Sequence, residues 1–139
     1  MLINFGLISG LKQLISEIQE ITQIRIEFIH PDVIDFDRFV NNHLYRVLQE
    51  LINNTLKHAD AHSIRIEFSI IEDSVICEFS DDGMGLEVDS TAYEGLGTIT
   101  ITQRLKAIGA EIQRDKQPSK GFKIKFVIPH EKNKYSNSR

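Results

Sequence analysis

Two alternating runs, Ser63–Ile71 and Ser74–Ser80, stand with only Glu72-Asp73 between them. Two residues suffice for a tight turn joining antiparallel strands. Each run places an apolar side chain at every second position, so each strand turns one face to a core and the other to water. A hairpin of this kind requires further elements to cover its apolar face. Upstream, Leu7, Leu11, Leu14, Ile15, Ile18 and Ile21 recur at helical spacing and predict an amphipathic helix from Leu7 to Ile21. Ile24–Ile29 alternates as a half-buried strand, which His30-Pro31-Asp32 terminates. A second helix is expected from about Asp37 to His58, with Val40, Leu44, Val47, Leu48, Leu51, Ile52 and Leu56 as its apolar positions. Asp35 or Asp37 would cap its start. Helical spacing returns at Ile99, Ile101, Leu105 and Ile108, and Gly109 supplies the end. A strand around Ala110 to Arg114, a turn at Pro118-Ser119-Lys120-Gly121 and a last strand from Phe122 to Ile128 complete the pattern. Helices are too few, and strands too often consecutive, for a doubly wound fold. The expected class is α+β: a two-layer α/β sandwich, with a mixed sheet of about five strands and three main helices on one face.

A chain of 139 residues favours one domain with a real core. Its expected extent is residues 1–131, with 1–22 as an entry helix, followed by a polar, disordered tail over 132–139. The net charge of -4 argues against broad contact with nucleic acid or an anionic membrane, so a bound anion must be held by a local site. No apolar stretch is long enough to span a bilayer. The apolar start lacks the basic flank and cleavage site of a signal peptide. Cys77, the single cysteine, lies in an apolar strand and reads as a core residue of a cytosolic protein.

Glu50, Asn54 and Lys57 fall together beside the apolar stripe of the second helix. A carboxylate, an amide oxygen and a cation grouped in this way suit Mg²⁺ with a polyphosphate, because Mg²⁺ takes hard oxygen ligands and shares them with phosphate. Alone they equally describe a solvated helix face. Asp81-Asp82-Gly83-Met84-Gly85 follows directly on an apolar strand. Asp81 at a strand end can accept from an exocyclic amine, and the glycines allow close backbone approach, although Asp-Gly also makes ordinary turns. Gly95-Leu96-Gly97 opens the third helix, where free amides favour a phosphate. Neither a G-x-x-x-x-G-K-[ST] loop nor a G-x-G-x-x-G after the first strand is present.

Taken together, these stretches resemble histidine kinases. Gln49 to Ala59 resembles their N box, Asp81-Asp82-Gly83-Met84-Gly85 their first glycine box and Gly95-Leu96-Gly97 their second. Gln103 to Ala110 resembles the helix and turn that follow, and Gly121 to Pro129 the closing strand. Order and spacing are similar to the subfamily that includes the nitrate and lipid-fluidity sensor kinases. The resemblance covers nearly the whole chain to about His130. It implies the Bergerat fold shared by gyrase, heat-shock chaperones, histidine kinases and mismatch-repair ATPases, with ATP and Mg²⁺ bound. It also implies roles. Asn54 would coordinate Mg²⁺, with Glu50 near the metal and the γ-phosphate as the second catalytic residue. Lys57 would contact phosphate and His58 the ribose or base. Asp81 would bind the adenine amine. Gly83, Gly85, Gly95, Leu96, Gly97 and Thr98 would shape the pocket; Asp82 to Tyr93 reads either as a mobile lid over the phosphates, anchored by Leu86, Val88 and Tyr93, or as a flexible surface loop.

Two positions depart from the family pattern: Thr102 stands where arginine is frequent, and Phe122 where a threonine follows the last glycine. The resemblance further implies a dimerisation domain carrying the acceptor histidine, a response regulator as partner, and a homodimeric parent attached to the inner membrane with this domain in the cytoplasm. No direct membrane contact is expected for the fragment. An acceptor histidine with an acidic neighbour on a dimerisation helix is not found; His30, His43, His62 and His130 read as incidental surface residues. The alternatives are a stand-alone serine kinase module of the anti-sigma type and a degenerate scaffold. Glu50, Asn54 and Asp81 argue against the scaffold.

Overall fold

The computed structural model describes residues 2–58, 60–83, 99–113 and 121–129, and their side chains apart from those of 2–5, 58 and 99. In chain order the elements are α1 (Leu2–Ile21), β1 (Arg25–Ile29), α2 (Arg38–His58), β2 (Ser63–Ile71), β3 (Ser74–Asp81), α3 (Ile99–Ala107), β4 (Glu111–Gln113) and β5 (Lys123–Pro129). The five strands form one sheet in the order β1-β2-β3-β5-β4. β1 runs parallel to β2, and the other pairings are antiparallel. The α+β sandwich with a mixed five-stranded sheet is therefore as the sequence pattern predicts.

Period-2 patterning and register agree across the sheet. Phe28, Ile66, Phe79 and Ile124 are successive partners across four strands, and Phe68, Cys77, Phe126 and Ile112 form the next row. Of these, Ile66, Phe68, Cys77, Phe79, Ile124 and Phe126 are buried, whereas Arg65, Lys123 and Glu111 on the alternate positions are exposed. One face thus belongs to the core and the other to solvent. The helices cover the core face. Leu7, Leu11, Ile15 and Ile18 of α1 and Leu44, Val47, Leu48, Leu51 and Ile52 of α2 are buried with the strand residues, together with Ile101 and Leu105 of α3.

Local signals explain the element ends. Asp37 caps α2, its Oδ1 accepting from the Val40 N–H at 2.9 Å. α3 closes over Gly109, which takes φ 74, while the Ala110 N–H returns to the Leu105 carbonyl at 2.9 Å. α1 is two helical pieces joined at Gly6, whose φ 77 and ψ -178 are open only to glycine. The amphipathic helix proper therefore starts at Leu7, as its spacing predicts. Both sheet edges are short or covered. β4 has three residues, and the Ile26 N–H of edge strand β1 donates to Gln19 Oε1 of α1 at 2.9 Å. Among the described residues no helix is long and apolar enough to cross a membrane. The expected tail over 132–139, together with Arg114, Pro118, Ser119 and Lys120, lies outside the described residues.

Candidate functional site

The alternation of β3 that buries Val75, Cys77 and Phe79 has its next inward position at Asp81. Register agrees, since Ile26 pairs with Ile64 and Ile64 with Asp81 in one row on the core face. A carboxylate placed there must be hydrogen-bonded. Asp81 is 8% exposed, and three donors reach it. The Thr55 hydroxyl donates to Oδ2 at 2.8 Å, the Gly83 N–H to Oδ1 at 2.9 Å and the Phe122 N–H to Oδ1 at 3.2 Å. The Asp81 N–H donates in turn to the Phe122 carbonyl at 3.0 Å. Phe122 can approach this closely because Gly121 precedes it. Gly121 has φ 90, and a Cβ there would fall on the Asp81 carbonyl oxygen. A carboxylate has room for about four donors. With Oδ1 doubly engaged and Oδ2 singly engaged, the acceptor position left among the described contacts is on Oδ2.

The Thr55–Asp81 bond ties α2 to β3 and so brings Asn54, the preceding residue, to the same corner. Asn54 is 4% exposed, and its Nδ2 has no partner among the described residues. A buried amide left in this state costs free energy unless something else engages it. Its two ends suit a hard cation on the oxygen and a phosphate oxygen on the N–H. Glu50, one turn earlier, is half-buried, and Lys57 is exposed at the end of the helix. Among the described residues, no three acidic, histidine or cysteine side chains are grouped so as to hold a metal ion by themselves. A cation here would therefore lean on phosphate oxygens and water, which fits Mg²⁺.

Asp82 behaves differently from a lid residue. Its Oδ1 accepts from the His62 N–H at 2.8 Å and the Ser63 N–H at 3.0 Å, while its own N–H donates to the Ser63 carbonyl at 3.2 Å. These amides, Ser63 first and then His62, hold its carboxyl below the ordinary range. The segment expected to move from Asp82 onward is therefore anchored at its first residue. Gly83 is fixed as a donor to Asp81. Gly85, Gly95, Leu96, Gly97, Thr98, the lid anchors Leu86, Val88 and Tyr93, and the side chain of His58 lie outside the described residues.

His43 is not an incidental surface residue. Its ring is half-buried, meets Phe39 edge-on at 4.6 Å, and its Nδ1 lies 3.2 Å from Arg104 Nη1 of α3. Burial, then the Arg104 charge, lowers its pKa. His30 is also half-buried, its ring tilted against that of Phe28 with centroids 4.6 Å apart. Cys77 is fully buried, as expected of a core residue, and burial pushes its thiol well up.

Strand alternation and the helix face place Asp81 and Asn54, and the family resemblance singles them out from ordinary turn and surface residues. Thr55, Gly121 and the Phe122 amide were missed. Thr55 carried a usable signal, being a hydroxyl at i+4 from Leu51 and i+3 from Ile52, on the buried stripe, where it has to find a partner. A separate depression lies elsewhere among the described residues. It is open, has a volume of about 440 Å³, lies between α1 and β1 and is lined by Lys12, Ile15, Ser16, Gln19, Glu20, Phe28 and His30. It shares no residue with the Asp81 corner, and it gathers no buried polar side chain of the kind found there.

Residues 39–132, from the start of α2 to just beyond β5, match the family model described as histidine kinase-, DNA gyrase B-, and HSP90-like ATPase. The chain belongs to this ATPase family. Among curated relatives of this ATPase domain, the sensor protein VraS of Staphylococcus epidermidis is 28% identical over 130 residues, covering 92% of this chain and 36% of that protein. VraS of Staphylococcus haemolyticus is 29% identical over 122 residues, covering 86% and 34%. The chain thus spans about a third of the length of these relatives. Among solved structures, a histidine kinase domain from the EL346 blue-light activated histidine kinase of Erythrobacter litoralis superposes with a TM-score of 0.78 at 22% identity, covering 94% of this chain and 64% of that one. The histidine kinase AdeS of Acinetobacter baumannii gives 0.74 at 19% identity, covering 91% and 66%. Both confirm the ATPase-domain fold. The nitrate and lipid-fluidity grouping finds no specific support in these likenesses, and neither does the serine-kinase alternative.

Proposed function

We propose that this chain is the ATP-binding catalytic domain of a two-component sensor histidine kinase, one that holds Mg-ATP and presents its γ-phosphate to a histidine on a separate dimerisation domain. The observation that carries this reading is the Asp81 corner. Among the described residues, an inward carboxylate engaged by Thr55, Gly83 and Phe122 keeps one acceptor position on Oδ2, and Asn54, the neighbour of Thr55, is a buried amide whose donor has no partner. An acceptor-only position suits the amine of adenine and repels a 6-oxo purine. Family membership and the likeness to sensor proteins support the nucleotide and the kinase chemistry respectively.

Phosphoryl transfer needs positioning and charge neutralisation more than covalent help from the protein. Asp81 would fix the base. Asn54 would ligate Mg²⁺, with Glu50 beside it, and Lys57 would draw in the phosphate chain. Gly85, Gly95, Leu96, Gly97 and Thr98 would complete the pocket, with His58 near the ribose or base. Bound Mg²⁺ would neutralise the charge of the phosphate oxygens. The acceptor histidine and the response regulator are partners to be supplied from outside this domain, in a homodimeric parent that displays it in the cytoplasm.

Titration calorimetry with a non-hydrolysable ATP analogue and Mg²⁺ tests the nucleotide reading. Binding to the wild-type chain is expected, with a loss on the order of 100-fold in Asp81→Ala. No heat with the folded wild-type chain would refute it. Phosphohistidine formation on added dimerisation helices then tests the kinase reading, and its absence under all conditions would count against it.

A further inference from the structure

We infer that Thr55 is a positioning residue for base recognition, setting the orientation of the Asp81 carboxylate from the opposite layer of the fold. The inference rests on the ATP reading above and adds to it a residue to which no nucleotide role had been given.

Thr55 is 2% exposed and sits on the buried face of α2, in its last turn. A helical threonine can turn its hydroxyl back onto the carbonyl of the preceding turn. Here the hydroxyl instead crosses to β3 and donates to Asp81 Oδ2 at 2.8 Å. The other donors to the carboxylate, the N–H groups of Gly83 and Phe122, are both main-chain and both engage Oδ1. Phe122 contributes no hydroxyl of its own; its ring lies 6.3 Å from that of Phe79. Among the described residues, Thr55 is thus the only side chain that holds Oδ2. Oδ2 is also the atom with an acceptor position to spare, so the atom that would meet the nucleobase is oriented by Thr55. Two amides on Oδ1 pin one end of the carboxylate but leave rotation about the Cβ–Cγ bond softer at the other. The Thr55 hydroxyl removes that freedom.

The role is confined to the base. Asn54, the neighbour of Thr55, shares its helix but not its bond, so a ligand lacking a base should not report the loss of the hydroxyl. Thr55→Val keeps the side-chain volume and removes the donor, and Thr55→Ser keeps the donor. Three probes are titrated into the folded chain with Mg²⁺: a non-hydrolysable ATP analogue, inosine triphosphate and inorganic tripolyphosphate. For Thr55→Val we expect the ATP analogue to weaken roughly tenfold. Tripolyphosphate should hold its wild-type affinity, and the preference for ATP over inosine triphosphate should shrink by a similar factor. Thr55→Ser should restore most of both. If Thr55→Val does not fold, Thr55→Ala serves in its place, with the same expectations. Equal losses for the ATP analogue and tripolyphosphate would reduce Thr55 to a purely structural residue and overturn the inference. So would an unchanged preference between ATP and inosine triphosphate. Failure of the wild-type chain to bind the ATP analogue would instead refute the functional reading on which the inference rests.

Discussion

Asp81 and Asn54 meet at the same end of the molecule, and both are withdrawn from solvent, but their surroundings are unlike. Around Asp81, donors from α2, from the turn after β3 and from the residue just before β5 engage the carboxylate. Around Asn54, the amide nitrogen has no partner among the described residues. The base corner is built by the fold itself, so its ligand need not organise it. The amide corner keeps unused bonding capacity, at a cost in stability that a ligand would offset. Substitutions should therefore have opposite effects on folding at the two corners, though either weakens nucleotide binding.

The largest effect is expected at Gly121. Its φ 90 and the closeness of the Asp81 carbonyl leave no place for a Cβ. Gly121→Ala should cost on the order of 3 kcal/mol in urea unfolding or prevent folding altogether. An unchanged midpoint would show that the base corner is softer than described. Next comes Asn54→Leu. Removing the unpaired amide should stabilise the fold by about 1 kcal/mol while abolishing Mg²⁺-dependent nucleotide binding. A clear loss of stability would mean that Asn54 is engaged and the contrast between the corners is false.

Asp82 backs the base corner by joining the end of β3 to the start of β2. Asp82→Ala should lower stability by roughly 1 kcal/mol, since its bonds lie near solvent. Its folded pKa is depressed, so its contribution is present above the ordinary carboxylate value of 3.8 and is lost as pH falls through the lower, folded value. An acid titration followed by circular dichroism should show this limb in the wild type and not in Asp82→Ala.

His43, away from both corners, is a control of small effect. Its folded pKa is also lowered, so the unfolded chain binds more protons below about 6.5, and stability should fall as pH drops from there. His43→Gln should flatten that limb by a few tenths of a kcal/mol without altering nucleotide affinity. A change in affinity would show that the Arg104 contact couples α3 to the site.

Local signals were legible wherever one segment sufficed. The Glu72-Asp73 turn, the Asp37 cap, the Gly109 helix end and the start of the first helix at Leu7 follow from nearby residues alone. Pairings between distant segments were not legible. Nothing in the apolar runs says that β1 lies parallel beside β2, or that β5 inserts between β3 and β4. The site divides in the same way. Asp81 and Asn54 stand out through motifs that resemble a known family, each within one local segment, but Gly121 acquires its meaning only once β5 lies against β3. Thr55 lies on the apolar face of its helix, and its hydroxyl has a role only through Asp81, 26 residues further along the chain.

The contact between Gln19 and the outer amide of Ile26 bears on how the protein behaves in company. An open strand margin invites neighbouring molecules to extend the sheet and, repeated, to stack into fibres. Here a side-chain carbonyl stands in for the missing strand on one margin, and the other, among the described residues, is three residues long. A domain furnished in this way can be held at high local concentration beside copies of itself and still remain a dispersed, individually folded unit.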